Sequence, residues 1–156
     1  MKTKTTLSPE LFLCHEVEIH YKRPLYDRML QIKSSLDADV LIRNAIPDTH
    51  LDLKEYFYVF FLTANGRVLG LVQLSIGSIM ATVVNVREIF QTAILLNAVG
   101  IILLHNHPSG NLTPSEADRK ITQKVKEACA LFDMTLLDHL IITSESYYSF
   151  SDDGRL

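Results

Sequence analysis

The sequence predicts an α/β domain in which a mixed β-sheet carries helices on both faces. Strand and helix patterns alternate along the chain, as expected for this class. Residues 56–62 consist only of aromatic and aliphatic side chains, which is typical of a central strand buried on both sides. A chain of 156 residues is long enough for one such domain. The hydrophobic fraction of 47% and the charged fraction of 21% are close to globular averages and exclude a disordered or fibrous protein.

Residues 1–50 are predicted to form an N-terminal extension of one strand and one or two helices. Residues 16–22 alternate polar and apolar side chains, which predicts an edge strand. A first helix is predicted from Pro24, and a second over residues 37–46. The apolar side chains at helical spacing that suggest the first helix are Leu25, Met29, Ile32 and Leu36. The compact domain is predicted over residues 51–156.

Within that domain, a hairpin is predicted at Asn65-Gly66, because both residues tolerate a positive φ. A second strand is predicted over residues 68–76 on the far side of this turn. Helices are predicted over residues 87–98 and 115–132. The inner stripe of the latter is predicted to comprise Ala117, Ile121, Val125, Ala128 and Phe132. The remaining predicted strands cover residues 101–104, 135–143 and 147–150.

Charge and cysteine content exclude several classes of protein. A net charge of −3 and a pI near 6.0 give no general attraction to nucleic acid or to anionic membranes. Cys14 and Cys129 form neither a disulfide framework nor a zinc knuckle, and we expect reduced thiols in a cytoplasmic protein. The longest apolar run, residues 93–104, is shorter than the roughly 20 residues of a membrane span. We therefore expect no association with membranes.

The segment from His105 to Asp118 is predicted to carry the chemistry, because it follows a buried strand and opens a helix. His105 and His107 project from the same face of an extended chain and can converge on one metal ion. Asp118, in the first turn of the helix, can fold back as a third ligand. This set leaves a fourth tetrahedral position for water, as in catalytic zinc sites. Ser115-x-x-Asp118 also fits a helix capping box, so a structural role for both residues stays open.

Two other metal-dependent classes do not fit this segment. In HNH nucleases the three named residues are dispersed over a ββα unit, so the adjacent tripeptide His105-Asn106-His107 is no evidence for them. Zinc nucleobase deaminases need an H-x-E and a P-C-x-x-C motif. Here His107 stands where the glutamate would be, and the two cysteines are widely separated.

The pattern resembles the JAMM signature of JAB/MPN-domain metalloproteases, which is H-x-H, seven residues, Ser, two residues, Asp. His105, His107, Ser115 and Asp118 match it without a gap or substitution. The longer sequence HNHPSG at residues 105–110 and the following Pro114-Ser115 resemble the RadC-like branch in particular. Residues 87–90, 138–142 and 148–150 resemble it as well. The resemblance covers about residues 50–156 and implies the three-layer, cytidine-deaminase-like JAB/MPN fold.

The resemblance implies a zinc-dependent hydrolase that cleaves an amide bond of a peptide or protein, as a metallopeptidase or isopeptidase. Under it, His105, His107 and Asp118 bind Zn²⁺. Glu55, directly before the strand at residues 56–62, takes the proton from the attacking water. Ser115 donates a hydrogen bond to the developing oxyanion.

This sequence departs from the RadC-like pattern at two points. Val86 stands where a proline often precedes the Arg-Glu pair, and residues 1–50 are too short for the helix-hairpin-helix DNA-binding module of the long members.

Three residue assignments stay open. Glu88 competes with Glu55 for the role of the acid, although the dipole at a predicted helix start accounts for it. Asp138 or His139 can orient a metal ligand or form only a polar pair at a strand end. Arg87 can bind a substrate carboxylate or phosphate, or be a surface residue.

A second function class also stays open: a DNA-repair or mobile-element accessory factor that acts by binding nucleic acid. It is motivated by the RadC resemblance and by basic residues on one predicted helix, namely Arg119, Lys120, Lys124 and Lys126. The net charge of −3 and the interspersed Glu116 and Glu127 oppose it. A third alternative is a metal site that serves only the fold. The natural substrate and the oligomeric state stay open.

Overall fold

The structure is a computed structural model that describes residues 19–77 and 84–156. In this part of the chain, five strands form one mixed sheet in the order β2-β1-β3-β4-β5. β3 and β4 are parallel, and the other neighbours are antiparallel. The strands are β1 (Tyr56–Leu62), β2 (Val68–Ile76), β3 (Gly100–Asn106), β4 (Thr135–Ile142) and β5 (Tyr147–Ser149); the α-helices are α1 (Ser35–Ala45), α2 (Val86–Leu95) and α3 (Glu116–Leu131).

Helices cover both faces of this sheet, as predicted. Successive side chains of a strand point to opposite faces, and every residue of β1 is buried. On one face, Tyr58 and Phe60 share a core with Ala38 and Ile42 of α1. On the other face, the core combines β1 and β3 with side chains of α2 and α3, namely Phe57, Val59, Phe61, Ile101, Leu103, Ile89, Phe90, Ala93, Val125 and Cys129. The α/β prediction with three layers is therefore confirmed.

The helix predicted from Pro24 is wrong. Only Tyr26–Arg28 form a short 3₁₀ turn, after which the chain runs extended and Gln31 pairs with Arg67 at the edge of the sheet. The Ile32 amide donates to the Gly66 carbonyl at 2.9 Å. The start of β2 supplies hydrogen-bond partners that a helix would leave unused. Of the apolar side chains that suggested a helix, Leu25 and Leu36 are exposed. Met29 and Ile32 are buried, but in the cores on opposite faces of the sheet.

The second predicted helix, residues 37–46, is observed as α1. It begins after Ser34, whose Oγ accepts a hydrogen bond from the Asp37 amide at 3.2 Å. The predicted edge strand at residues 16–22 lies in part outside the described residues, and residues 19–22 do not form a strand. The proposed domain boundary at residue 50 stays a prediction.

α2 and β3 differ in length from the predicted elements. α2 ends at Leu95, because Asn97 adopts a positive φ of 52° and the Ala98 amide turns back to the Ala93 carbonyl at 2.9 Å. β3 extends through Asn106, well past the predicted strand at residues 101–104. His105 therefore lies inside a fully buried strand rather than in the loop that follows it.

The inner stripe of α3 is partly wrong. Ile121, Val125 and Ala128 of the predicted stripe pack on the core, but the fully buried residues are Asp118, Thr122, Val125 and Cys129. The predicted Phe132 is 47% exposed. Asp118 and Thr122 are also buried because their polar side chains contact histidines of the sheet, as described below. Cys129 is a free thiol, as predicted, and burial raises its pKa to about 11; Cys14 lies outside the described residues.

The remaining elements follow the prediction closely. Gly66, in the turn between β1 and β2, has a φ of 71° that favours glycine. β4 and β5 match the predicted strands at residues 135–143 and 147–150 to within one residue. Within residues 19–77 and 84–156, no helix combines the length and the hydropathy needed to cross a bilayer.

Candidate metal centre

The three predicted metal ligands meet at the end of the sheet where β3 ends and α3 begins. The Nε2 atom of His105 lies 3.0 Å from Nε2 of His107 and 3.1 Å from Oδ1 of Asp118. Oδ2 of Asp118 lies 3.6 Å from Nε2 of His107. One ligand atom from each residue lies within 4.8 Å of the others. Two imidazole nitrogens and one carboxylate at such separations suit zinc and related divalent metals.

The fold explains why these side chains converge. His105 faces the same side of β3 as Ile101 and Leu103, towards α3, and its ring stacks on Phe57 of the neighbouring strand at 5.9 Å between centroids. His107 follows two residues later, just past the strand end. α3 begins over this edge, so its first turn presents the Asp118 carboxylate to both imidazoles.

Ser115 and Asp118 also form the capping box that the sequence suggested. Oγ of Ser115 accepts from the Asp118 amide at 3.1 Å, and Oδ2 of Asp118 accepts from the Ser115 amide at 2.6 Å. The capping role and the metal-ligand geometry coexist, because Oδ1 of Asp118 faces His105. Since Oγ of Ser115 acts as an acceptor in the cap, its own O–H hydrogen stays available as a donor.

A tight turn fixes the ring of His107. The Gly110 amide donates to the His107 carbonyl at 3.0 Å, and Gly110 has a φ of 76°. This turn places the Asn111 carbonyl 2.6 Å from Nδ1 of His107. Because a carbonyl only accepts, Nδ1 carries a hydrogen, and Nε2 is the nitrogen left to bind a metal.

His139, rather than Asp138, contacts a metal ligand. Its Nε2 lies 2.9 Å from Nδ1 of His105, and its Nδ1 lies 2.6 Å from Oγ1 of Thr122. The Asp138 carboxylate points elsewhere and accepts from the Ser149 hydroxyl at 2.6 Å. Of the two residues that the sequence left open, His139 is therefore the one placed to orient a ligand.

The charges of the site support one another. The hydrogen bond with Asp118 and the Asn111 carbonyl raise the pKa of His107 against the effect of burial, and the Glu55 charge acts in the same direction. Burial alone would raise the pKa of Asp118, but hydrogen bonds from His105 and His107 outweigh it and lower that pKa. The carboxylate is therefore ionised at neutral pH, as a metal ligand must be.

Most of the predicted site residues line one cleft of about 610 Å³. Glu55, His107, Ser115 and Asp118 all face it, and His105 lies behind them with 1% of its surface exposed. Glu55 is half-buried and directly precedes β1. The volume is in the range of small-ligand sites.

The competing acid, Glu88, belongs to a different structure. Its Oε1 accepts from Nδ2 of Asn85 at 3.0 Å, at the beginning of α2. This contact matches the helix-start explanation given above, and Glu88 is not among the residues that line the cleft. Arg87, also exposed at the start of α2, does not line it either, and its proposed role toward a substrate anion stays a prediction.

Asn106, between the two histidines, is a residue whose role sequence reasoning missed. Its side chain is 1% exposed and points to the opposite face of β3. Nδ2 donates to the carbonyls of His50, Leu51 and Lys54, and Oδ1 accepts from the Tyr56 amide at 2.7 Å. Asn106 thus anchors the segment that leads into Glu55. A polar residue at an inward position of a buried strand was the available signal.

We expect Asn106→Ala to lower the free energy of unfolding by about 2 to 4 kcal/mol, because it leaves a buried amide and several carbonyls without partners. Chemical denaturation measures this value. Asn44→Ala, on the exposed face of α1, is the matched control and should change stability by less than about 0.5 kcal/mol. Equal stability of the two variants would show that Asn106 does not anchor this segment.

The chain is similar in sequence to one family model and to several known proteins. Residues 32–155 match the family model described as RadC-like JAB domain. A UPF0758 protein of Flavobacterium johnsoniae is 44% identical over 127 residues, which cover 81% of this chain and 54% of that protein. UPF0758 proteins of Chlorobaculum tepidum and Haemophilus ducreyi are each 36% identical, over 88% and 85% of this chain and 60% and 59% of theirs. The chain thus spans less than two thirds of the length of these relatives.

Proposed function

Because this chain belongs to the RadC-like JAB domain family, we propose that its metal centre hydrolyses an amide bond, as a zinc-dependent peptidase or isopeptidase. The observation that carries the proposal is the convergence of three ligand atoms within 4.8 Å beside Glu55 and Ser115 in one cleft. A site that served only the fold would need the ligands, but it would not need an acid and a hydroxyl donor at the same opening.

In this proposal His105, His107 and Asp118 hold the ion. Zinc bound there would lower the pKa of a coordinated water toward neutrality. Glu55 takes the proton from the attacking water and returns it to the leaving amine. It is half-buried and lines the cleft together with His107 and Ser115. Ser115 donates its free O–H to the oxyanion that develops on the substrate carbonyl.

Loading the metal-free protein with Zn²⁺ is expected to produce hydrolysis of peptide or isopeptide substrates. The measurement is a screen of fluorogenic peptides and isopeptide-linked conjugates, read by mass spectrometry to locate the broken bond. Removal of the ion with a chelator should abolish cleavage, and returning Zn²⁺ should restore it. Protein that binds about one zinc yet cleaves none of these substrates would count against hydrolysis.

No observation on the described residues favours the alternative of a nucleic-acid-binding accessory factor. Nε of Arg119 lies 3.4 Å and Nζ of Lys120 lies 3.7 Å from the Glu116 carboxylate, so two of the four basic residues are paired. Lys120 and Lys124 line the same cleft as Glu55. An affinity for duplex DNA that falls steeply with salt would favour this alternative.

A further inference from the structure

We propose that Thr122 and His139 are positioning residues that fix the tautomer of His105, so that its Nε2 offers a lone pair to the metal. The proposal rests on the metal centre of the proposed function, but it does not need hydrolysis to occur. It concerns a chain of hydrogen bonds that begins at the Asp118 carbonyl, passes through Thr122 and His139, and ends at His105.

The direction of the chain is set at its first link. Oγ1 of Thr122 lies 2.6 Å from the main-chain carbonyl oxygen of Asp118, one helical turn earlier. A carbonyl has no hydrogen to give, so the Thr122 hydroxyl must donate to it. The single hydroxyl hydrogen is then used, and Oγ1 can only accept at its other contact. That contact is Nδ1 of His139, at 2.6 Å, which must therefore carry a hydrogen.

The second link, between His139 and His105, determines which nitrogen of the metal ligand His105 carries a hydrogen on this side. The His139 ring is 0% exposed and is stacked on Phe150, with centroids 5.0 Å apart and planes 9° from parallel. A ring so placed among apolar groups is favoured in its neutral form. With the hydrogen on Nδ1, its Nε2 accepts, and Nδ1 of His105 donates across 2.9 Å. Nε2 of His105 is therefore the nitrogen left to bind a metal, on the side that faces His107 and Asp118.

His105 needs this device, and His107 does not. The partner of His107 Nδ1 is the Asn111 carbonyl, which can only accept and so fixes the tautomer alone. The partner of His105 is another imidazole, which can donate or accept with equal ease. Without a third group the pair could reverse and place an N–H at the metal position. Thr122 removes that choice, which also explains why a polar residue occupies the inner face of α3.

The test compares Thr122→Val with Thr122→Ser. Valine keeps the shape but removes the acceptor of the His139 N–H, so we expect zinc affinity to fall about 10- to 100-fold. Serine restores the hydroxyl, so we expect the zinc affinity of this variant to lie within about threefold of that of the unchanged protein, a smaller loss than for valine. Competition of the metal-free proteins with a chromogenic zinc chelator measures both values. Thermal unfolding of the metal-free variants establishes that each is folded.

A second readout reports the tautomer itself. In ¹⁵N-histidine-labelled, metal-free protein, Nδ1 of both His105 and His139 should carry a hydrogen, and Thr122→Val should move the hydrogen of His139 to Nε2. A neutral His139 with its hydrogen on Nε2 in the unchanged protein, or equal zinc affinity of the valine and serine variants, would overturn the proposal. Neither measurement uses a substrate. A protein that shows these shifts but hydrolyses nothing would refute the proposed function and leave the positioning role standing.

Discussion

Replacing Glu55 by glutamine is expected to lower the rate of amide hydrolysis by about 100-fold or more while zinc binding stays the same. A positioned general base contributes on the order of 10²- to 10⁴-fold. Glutamine keeps the size of the side chain but cannot take a proton from water. The structure places Glu55 in the cleft beside the three ligands without including it in their cluster. Single-turnover rates on the best substrate of the screen, together with zinc content, measure the two effects.

Glu88→Gln is the matched control for this substitution. It removes the same charge from the acid that contacts Asn85 at the start of α2, outside the cleft. Its rate should stay within about twofold of the unchanged protein, far below the loss expected for a general base. If Glu55→Gln retained full activity, the base would have to be another group. If only Glu88→Gln lost activity, the choice between these two acids would be reversed.

Replacing His107 by alanine is expected to abolish zinc binding and, with it, both hydrolysis and the stabilisation that zinc gives. Removing His107 leaves two of the three protein ligands, which is fewer than catalytic zinc sites use. A ligand that binds only the folded state raises stability by about 2.7 kcal/mol at one hundred times its dissociation constant. Zinc should therefore raise the melting temperature of the unchanged protein and leave that of His107→Ala unmoved.

His107 suits this experiment because its side chain is 17% exposed, so its loss should leave the folded core intact. His50→Ala serves as the control, since His50 stacks on Tyr56 at 4.3 Å and contributes nothing to the ligand cluster. That variant should bind zinc normally even if it is less stable. A His107→Ala protein that still holds about one zinc would place the ion elsewhere.

Much of the site was predictable because its signals are short in sequence. The spacing of His105 and His107 follows from the pleat of one strand, and Ser115-x-x-Asp118 follows from the geometry of one helix start. Each pattern is determined within a few residues, so the fold only has to bring the two together. The central strand β1 was equally clear, because seven consecutive apolar residues have few other uses.

What the sequence did not reveal depends on tertiary contacts. The apolar spacing after Pro24 is compatible with a helix, but hydrogen bonds to the edge of β2 favour an extended path. The stripe of α3 is misjudged when only apolar residues are counted, because Asp118 and Thr122 are buried by their polar partners. The role of Asn106 depends on carbonyls about fifty residues earlier in the chain, which no local pattern indicates.

The hydrogen bonds of Asn106 tie the position of Glu55 to the strand that carries the metal-binding histidines. The two histidines point to one side of β3 and Asn106 points to the other, where its side chain hydrogen-bonds the main chain on both sides of Glu55. Two of the three metal ligands and the residue that anchors the segment before Glu55 therefore lie at three consecutive positions at the end of β3. Changes in the surrounding loops can alter the entrance of the cleft, whereas the separation of Glu55 from the two histidines is set at the end of β3. Specificity could thus change through those loops without retuning the proton transfer.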